Sequence, residues 1–195
     1  MQSGHTELVA VSEMPGVFCQ YIHLDPSNFI PTSISPMKVF LSVLWNKTKY
    51  NSTIIEASAS WSENVTAHGF KACVLVAGRH LNSEFKVLPS IHWTALNFHE
   101  GNGNNFLESG IVKLPTWYTG TLCQTINVSG RFRSHAYRAM ASISHAHLKD
   151  YRNAMTVWTQ LYSSRFRICA RELQNFDGIH KDVLVVGLFV ILVKA

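Results

Sequence analysis

Six blocks of this 195-residue chain occur twice, in the same order. The first set is Ser3-Gly4, Gly16-Val17-Phe18-Cys19-Gln20, Val39 to Val43, Trp61, Gly69-Phe70-Lys71-Ala72-Cys73, and Val87-Leu88 up to Trp93. It returns as Ser109-Gly110, Gly120-Thr121-Leu122-Cys123-Gln124, Ala139 to Ile143, Trp158, Arg165-Phe166-Arg167-Ile168-Cys169, and Val183-Leu184 up to Phe189. The offset between partners falls in steps, from 106 at Ser-Gly to 104 at Cys-Gln, 100 at Ser42 and Ser142, 97 at the tryptophans and 96 from Phe70 onward. Every length change therefore lies between matched blocks, where loops absorb it. The chain reads as two copies of one unit, so its function must be one that so small a duplicated unit can perform. The expected organisation is a first domain over 1–98, a linker over 99–105 containing Gly101-Asn102-Gly103-Asn104-Asn105, and a second domain over 106–195.

The repeat also constrains the cysteines. Cys19 matches Cys123 and Cys73 matches Cys169, so each copy owns one pair. Four cysteines allow three connectivities. A unit that duplicates carries its own bridge with it, which favours Cys19 with Cys73 and Cys123 with Cys169; four reduced, buried thiols are the alternative. Asn46, Asn51, Asn64 and Asn127 each open an Asn-x-Ser/Thr acceptor for glycosylation. Paired cysteines together with four such sites indicate a secreted or extracellular protein. Met1 to Val11 has neither a basic nor an apolar signal region, so a mature form or a fragment of a longer extracellular chain is expected. The apolar run Val183 to Val193 is too short to span a bilayer and reads as a buried final strand.

Apolar residues make up 47% of the chain and charged residues 15%, which excludes a disordered polyelectrolyte. Residues 1–99 carry six basic and six acidic side chains, and residues 100–195 carry 11 and six. The whole net charge of +5 thus belongs to the second copy, through Arg131, Arg133, Arg138, Arg152, Arg165, Arg167 and Arg171. Such a surface suits acidic polysaccharide or phospholipid head groups, with a merely solvated face as the common alternative, and nucleic acid is not expected.

Short runs separated by turn residues, several alternating with period two, indicate strands at Val39 to Trp45, Ile54 to Trp61 and Phe70 to Val76, with partners in the second copy. Only Tyr151 to Tyr162 also has helical spacing, through Ala154, Val157, Trp158 and Leu161. The matched segment Ile54 to Val65 is rich in Ser, Thr and Asn, which argues for strand in both. The fold class expected is all-β, an antiparallel sandwich in each copy.

The Val39 to Val43 strand, Gly69-Phe70-Lys71-Ala72 after an Asn64-Val65-Thr66 turn, the closing Ser90-Ile91-His92-Trp93, and the opening Gln2-Ser3-Gly4 together resemble the H-type lectin domain of snail agglutinins and discoidins. The likeness covers nearly all of residues 1–97 and extends to the second copy through the repeat. It implies two tandem six-stranded antiparallel β-sandwiches, a trimeric homo-oligomer (here a trimer of chains), and glycan or glycoprotein partners bound in a shallow cleft where units meet. It also implies sugar contacts from a strand arginine and from an aromatic-His pair after the Gly-Phe strand. In this chain those positions fall at Ala77-Gly78 and Leu173-Gln174, and at Glu56-Ala57 and Asn153 for the arginine. The candidate sugar-binding residues are therefore the polar and aromatic neighbours: Arg79, His80 and Asn82 in the first copy, and Arg152, Arg171, Gln174 and Phe176 in the second.

The function expected is lectin-like carbohydrate binding, in cell adhesion or glycan recognition, without catalysis, cofactor or metal. The alternative is a structural or matrix module that has lost sugar binding and contacts protein or anionic polysaccharide. No nucleophile elbow, phosphate loop or metalloprotease motif occurs. His145-Ala146-His147 supplies two imidazoles without a third ligand placed by spacing. Trp61 and Trp158, being matched, are expected in the core, and Trp93 in packing.

Overall fold

A computed structural model describes residues 1–11, 16–28, 37–44, 57–77, 89–97, 107–115, 117, 120–127, 137–145, 155–162, 165–173 and 184–191. It is all-β. Among the described residues, seven strands belong to the first copy: β1 (Gln2–Glu7), β2 (Val9–Ala10), β3 (Val17–His23), β4 (Lys38–Leu44), β5 (Ala57–Thr66), β6 (Gly69–Ala77) and β7 (Ser90–Leu96). Six belong to the second: β8 (Leu107–Lys113), β9 (Thr121–Asn127), β10 (Tyr137–His145), β11 (Met155–Leu161), β12 (Arg165–Glu172) and β13 (Leu184–Ile191). Within the segment of helical spacing, Met155–Leu161 is a strand, and 151–154 lie outside the described residues. β11 pairs along its whole length with β12, from Met155 opposite Glu172 to Leu161 opposite Phe166, and this ladder decides between the two periodicities.

Matched strands take matched places. The first copy has the order β1-β7-β4 in one sheet and β3-β6-β5 in another; the second has β8-β13-β10 and β9-β12-β11. Both disulfides link directly opposed residues, Cys19 to Cys73 across β3 and β6, and Cys123 to Cys169 across β9 and β12. Gly16 and Gly120 enter β3 and β9 with φ of 80° and 78°, a left-handed turn that glycine adopts without strain.

In the first copy, β1-β7-β4 faces β3-β6-β5 across a core of Phe18, Ile22, Val39, Phe70, Val74 and Ile91, with Trp93 at its margin. Trp93 meets Phe70 edge-on at 5.7 Å between ring centroids and donates its indole N–H to Thr6 Oγ1 at 3.2 Å. A Cβ on Gly4 would stand 2.7 Å from the indole, so only glycine lets β1 lie this close to Trp93. Gly4→Ala is expected to destabilise the fold by about 1–3 kcal/mol through overpacking, read as a lower denaturation midpoint with an unchanged slope. The turn after β3 is fixed by Asp25, whose carboxylate accepts the Ser27 hydroxyl at 2.7 Å and the Ser27 amide at 3.0 Å. These bonds hold the Asp25 carboxyl below the ordinary carboxylate range.

The copies share one sheet. β5 pairs in parallel with β10, placing Trp61, Ser62 and Glu63 opposite Ile143, Ser144 and His145, and the combined order is β2-β3-β6-β5-β10-β13-β8. The face of β3-β6-β5 that carries the first disulfide points away from that copy's own core. Val17, Cys19, Ala59, Trp61, Cys73 and Leu75 on this face form one continuous apolar cluster with Ile143, Met155, Phe166 and Ile168 of the second copy. A surface of the first copy is thereby interior to the pair. No helix among the described residues is long and apolar enough to cross a membrane.

Candidate functional site

The seam between β5 and β10 holds its parallel ladder only from Trp61 and Ile143 to Glu63 and His145. On the N-terminal side of that ladder the strands part, leaving a cavity of about 150 Å³. Ser58 and Ser60 come from β5, Ser142 from β10 and Thr156 from β11, while Leu41 of β4 and Met155 of β11 supply apolar walls. Small side chains at Ala59 and Ala141 leave the space between the backbones unfilled.

Four hydroxyls and five apolar side chains, Leu41, Met155 and Val157 with the small Ala59 and Ala141, and no charged group in the lining, make a site for a neutral ligand. Each hydroxyl can both donate and accept, as the hydroxyl groups of a sugar do. Ser142 is 3% exposed, and its Oγ is enclosed without a hydrogen-bond partner. An enclosed polar atom of this kind calls for a ligand group or ordered water to satisfy it. A cavity of this volume accommodates a six-membered ring.

Beside the seam, β5 carries a buried polar pair. Trp61 donates its indole N–H to Glu63 Oε1 at 2.6 Å, and both residues are 1% exposed. Thr159 Oγ1 donates to the Ala139 carbonyl at 2.9 Å and fastens β11 to β10, while Thr156 Oγ1 donates to the Arg171 carbonyl at 3.2 Å. This last bond joins the cavity lining to the strand carrying Arg171, an exposed residue that sequence had selected. No family model, curated protein or solved structure matches the chain.

Of the other residues selected by sequence, Arg79, His80, Asn82, Arg152, Gln174 and Phe176 lie outside the described residues, as do Asn46, Asn51 and the 99–105 linker. Asn64 and Asn127 are exposed, Asn64 with φ of 50° near the end of β5, where the register against β6 shifts between Glu63 and Thr66. His145 ends β10, and His147 lies outside the described residues. The tryptophans part company: Trp61 is buried as expected, but Trp158 is 37% exposed. The correction has a physical cause. Trp61 faces the second copy across the seam, whereas the matched face of β9-β12-β11 has no such neighbour among the described residues.

Sequence reasoning missed Ser58, Ser60, Ser142 and Thr156 because serine and threonine on a strand ordinarily mean a wet face. The available signal was Ser142, set between Ala141 and Ile143 in a block that otherwise repeats apolar residues.

Proposed function

We propose that this chain is an extracellular, non-catalytic carbohydrate-binding protein built from two tandem sandwiches of the H-type lectin kind. The observation that carries this reading is the hydroxyl-lined cavity at the seam, with Ser142 Oγ enclosed and unpartnered. Its walls suit a neutral pyranose ring, with apolar contact from Leu41 and Met155, hydrogen bonds to and from the three serine hydroxyls, and Thr156 Oγ1 as an acceptor. Two intramolecular disulfides are compatible with an oxidising, extracellular setting, and the exposed Asn64 and Asn127 suit glycan attachment. The seam gives one such cavity per chain, so avidity for clustered glycans comes from association of chains, as in a trimer of chains.

The test replaces Ser142 by valine, which removes the unpartnered hydroxyl and partly fills the cavity. Binding to neutral glycans on an array is expected to fall by at least about tenfold, because a lost hydrogen bond within an enclosed site costs about 1–3 kcal/mol. Array binding that is unchanged in a folded Ser142→Val protein would remove the seam from the function.

A further inference from the structure

The face of β9-β12-β11 that bears the second disulfide corresponds to the surface that the first copy buries. Registers align it row by row. Cys19, Cys73 and Trp61 form one row in the first copy, and Cys123, Cys169 and Trp158 form its counterpart. The adjacent row is Val17, Leu75 and Ala59 in the first copy, all buried, but Thr121, Arg171 and Thr156 in the second. On the other side, Tyr21, Lys71 and Glu63 become Thr125, Arg167 and Gln160, and Arg165 opposes Asn127 in the row beyond. The second copy has thus exchanged the apolar row beside the disulfide for a cationic and hydroxylated one, and keeps both the tryptophan and a basic residue in the flanking rows. Every outward position on these rows is neutral or basic.

We propose that this face binds a linear sulfated glycan, with Trp158 beneath one sugar ring and Arg167 and Arg171 engaging the anionic groups on either side. Same-face residues of a strand stand about 6.7 Å apart. Arg167 and Arg171 therefore span about 13 Å, with the Cys169-Trp158 row midway between them. An aromatic ring flanked by two cations matches a sugar ring flanked by charged substituents. Guanidinium forks hydrogen-bond sulfate oxygens in pairs, and the ring takes the apolar face of the sugar. Arg165, stacked 5.5 Å over the Tyr162 ring, extends the cationic strip toward the end of β12. The disulfide beneath the strip holds β9 and β12 in register and places the chain where sulfated polysaccharide is the abundant polyanion. This site borders the seam cavity at Thr156, which lies in the row beside Arg171 and also in the cavity lining, but its sugar contacts come from Trp158, Arg167 and Arg171 and do not depend on the cavity.

The full chain is titrated calorimetrically with a heparin octasaccharide, its desulfated form, and a single-stranded oligonucleotide of equal charge. Tight, salt-sensitive binding of the sulfated octasaccharide alone is expected. R167S/R171S is expected to weaken it about 100-fold and W158A about tenfold, while S142V leaves it unchanged, so failure here and failure of the seam reading are distinguishable. R167K/R171K keeps the charge without the fork and is expected to bind with intermediate affinity; it decides the matter should the serine variant not fold. Unchanged affinity in the folded arginine variants, or oligonucleotide binding as tight as heparin, overturns the proposal.

Discussion

Replacing Cys19 and Cys73 together by alanine is expected to destabilise the chain by more than 4 kcal/mol, and replacing Cys123 and Cys169 by about 4 kcal/mol or less. The sequence separations are 54 and 46 residues, so loop-closure entropy alone predicts nearly equal effects of about 4 kcal/mol each. Burial separates them. Cys19 and Cys73 both belong to the apolar cluster at the seam, where truncation adds a cavity to the lost constraint. Cys169 is fully buried, but Cys123 is only half-buried and neither belongs to the seam cluster, so removing this pair adds less. Urea unfolding of the two double variants, each beside the wild type, checks the order. Equal losses would mean that the first disulfide does not contribute through packing across the seam.

The disulfide pairing was legible because the repeat assigns one cysteine pair to each copy, and strand positions were legible because Phe70 to Val76 and Arg165 to Arg171 show their alternation locally. Which face of a strand meets what lies beyond local pattern. Ala59 and Trp61 alternate with Ser58 and Ser60 much as Val157 alternates with Trp158, yet one tryptophan is enclosed and the other is not. Period two separates the two faces of a strand but does not say which neighbour covers each of them. Glu63 was unreadable for the same reason. A carboxylate in a Ser-Glu-Asn stretch reads as solvated, and only the parallel pairing of β5 with β10 encloses it. A partial signal did exist in the aligned copies, where Val17, Leu75 and Ala59 stand against Thr121, Arg171 and Thr156. An apolar row facing outward beside a disulfide in one copy, and polar in the other, marks the first as an interface.

Trp61 and Trp158 give the sharpest test of that asymmetry, since they are matched residues in matched strands on matched faces. Trp61→Ala is expected to cost about 3–5 kcal/mol, the range for removing a large buried aromatic. It also leaves the enclosed Glu63 carboxylate without the indole donor that stands 2.6 Å from it. Trp158→Ala is expected to cost about 1 kcal/mol or less, because its ring already meets solvent on one side. Thermal and urea unfolding of the two single variants measure the difference directly. A loss at Trp158 as large as that at Trp61 would mean that the second face is covered in solution, by another chain or by part of this one. Titrating chain concentration then discriminates, since association makes the midpoint concentration-dependent and an intramolecular cover does not. The polar row of Thr121, Arg171 and Thr156 disfavours association, because stacking a further unit there as the second copy stacks on the first would bury Arg171 where Leu75 now lies. The triple variant T121V/R171L/T156A restores the apolar row, and light scattering is expected to show it self-associating at concentrations where head-to-tail stacking through this face is absent in the wild type.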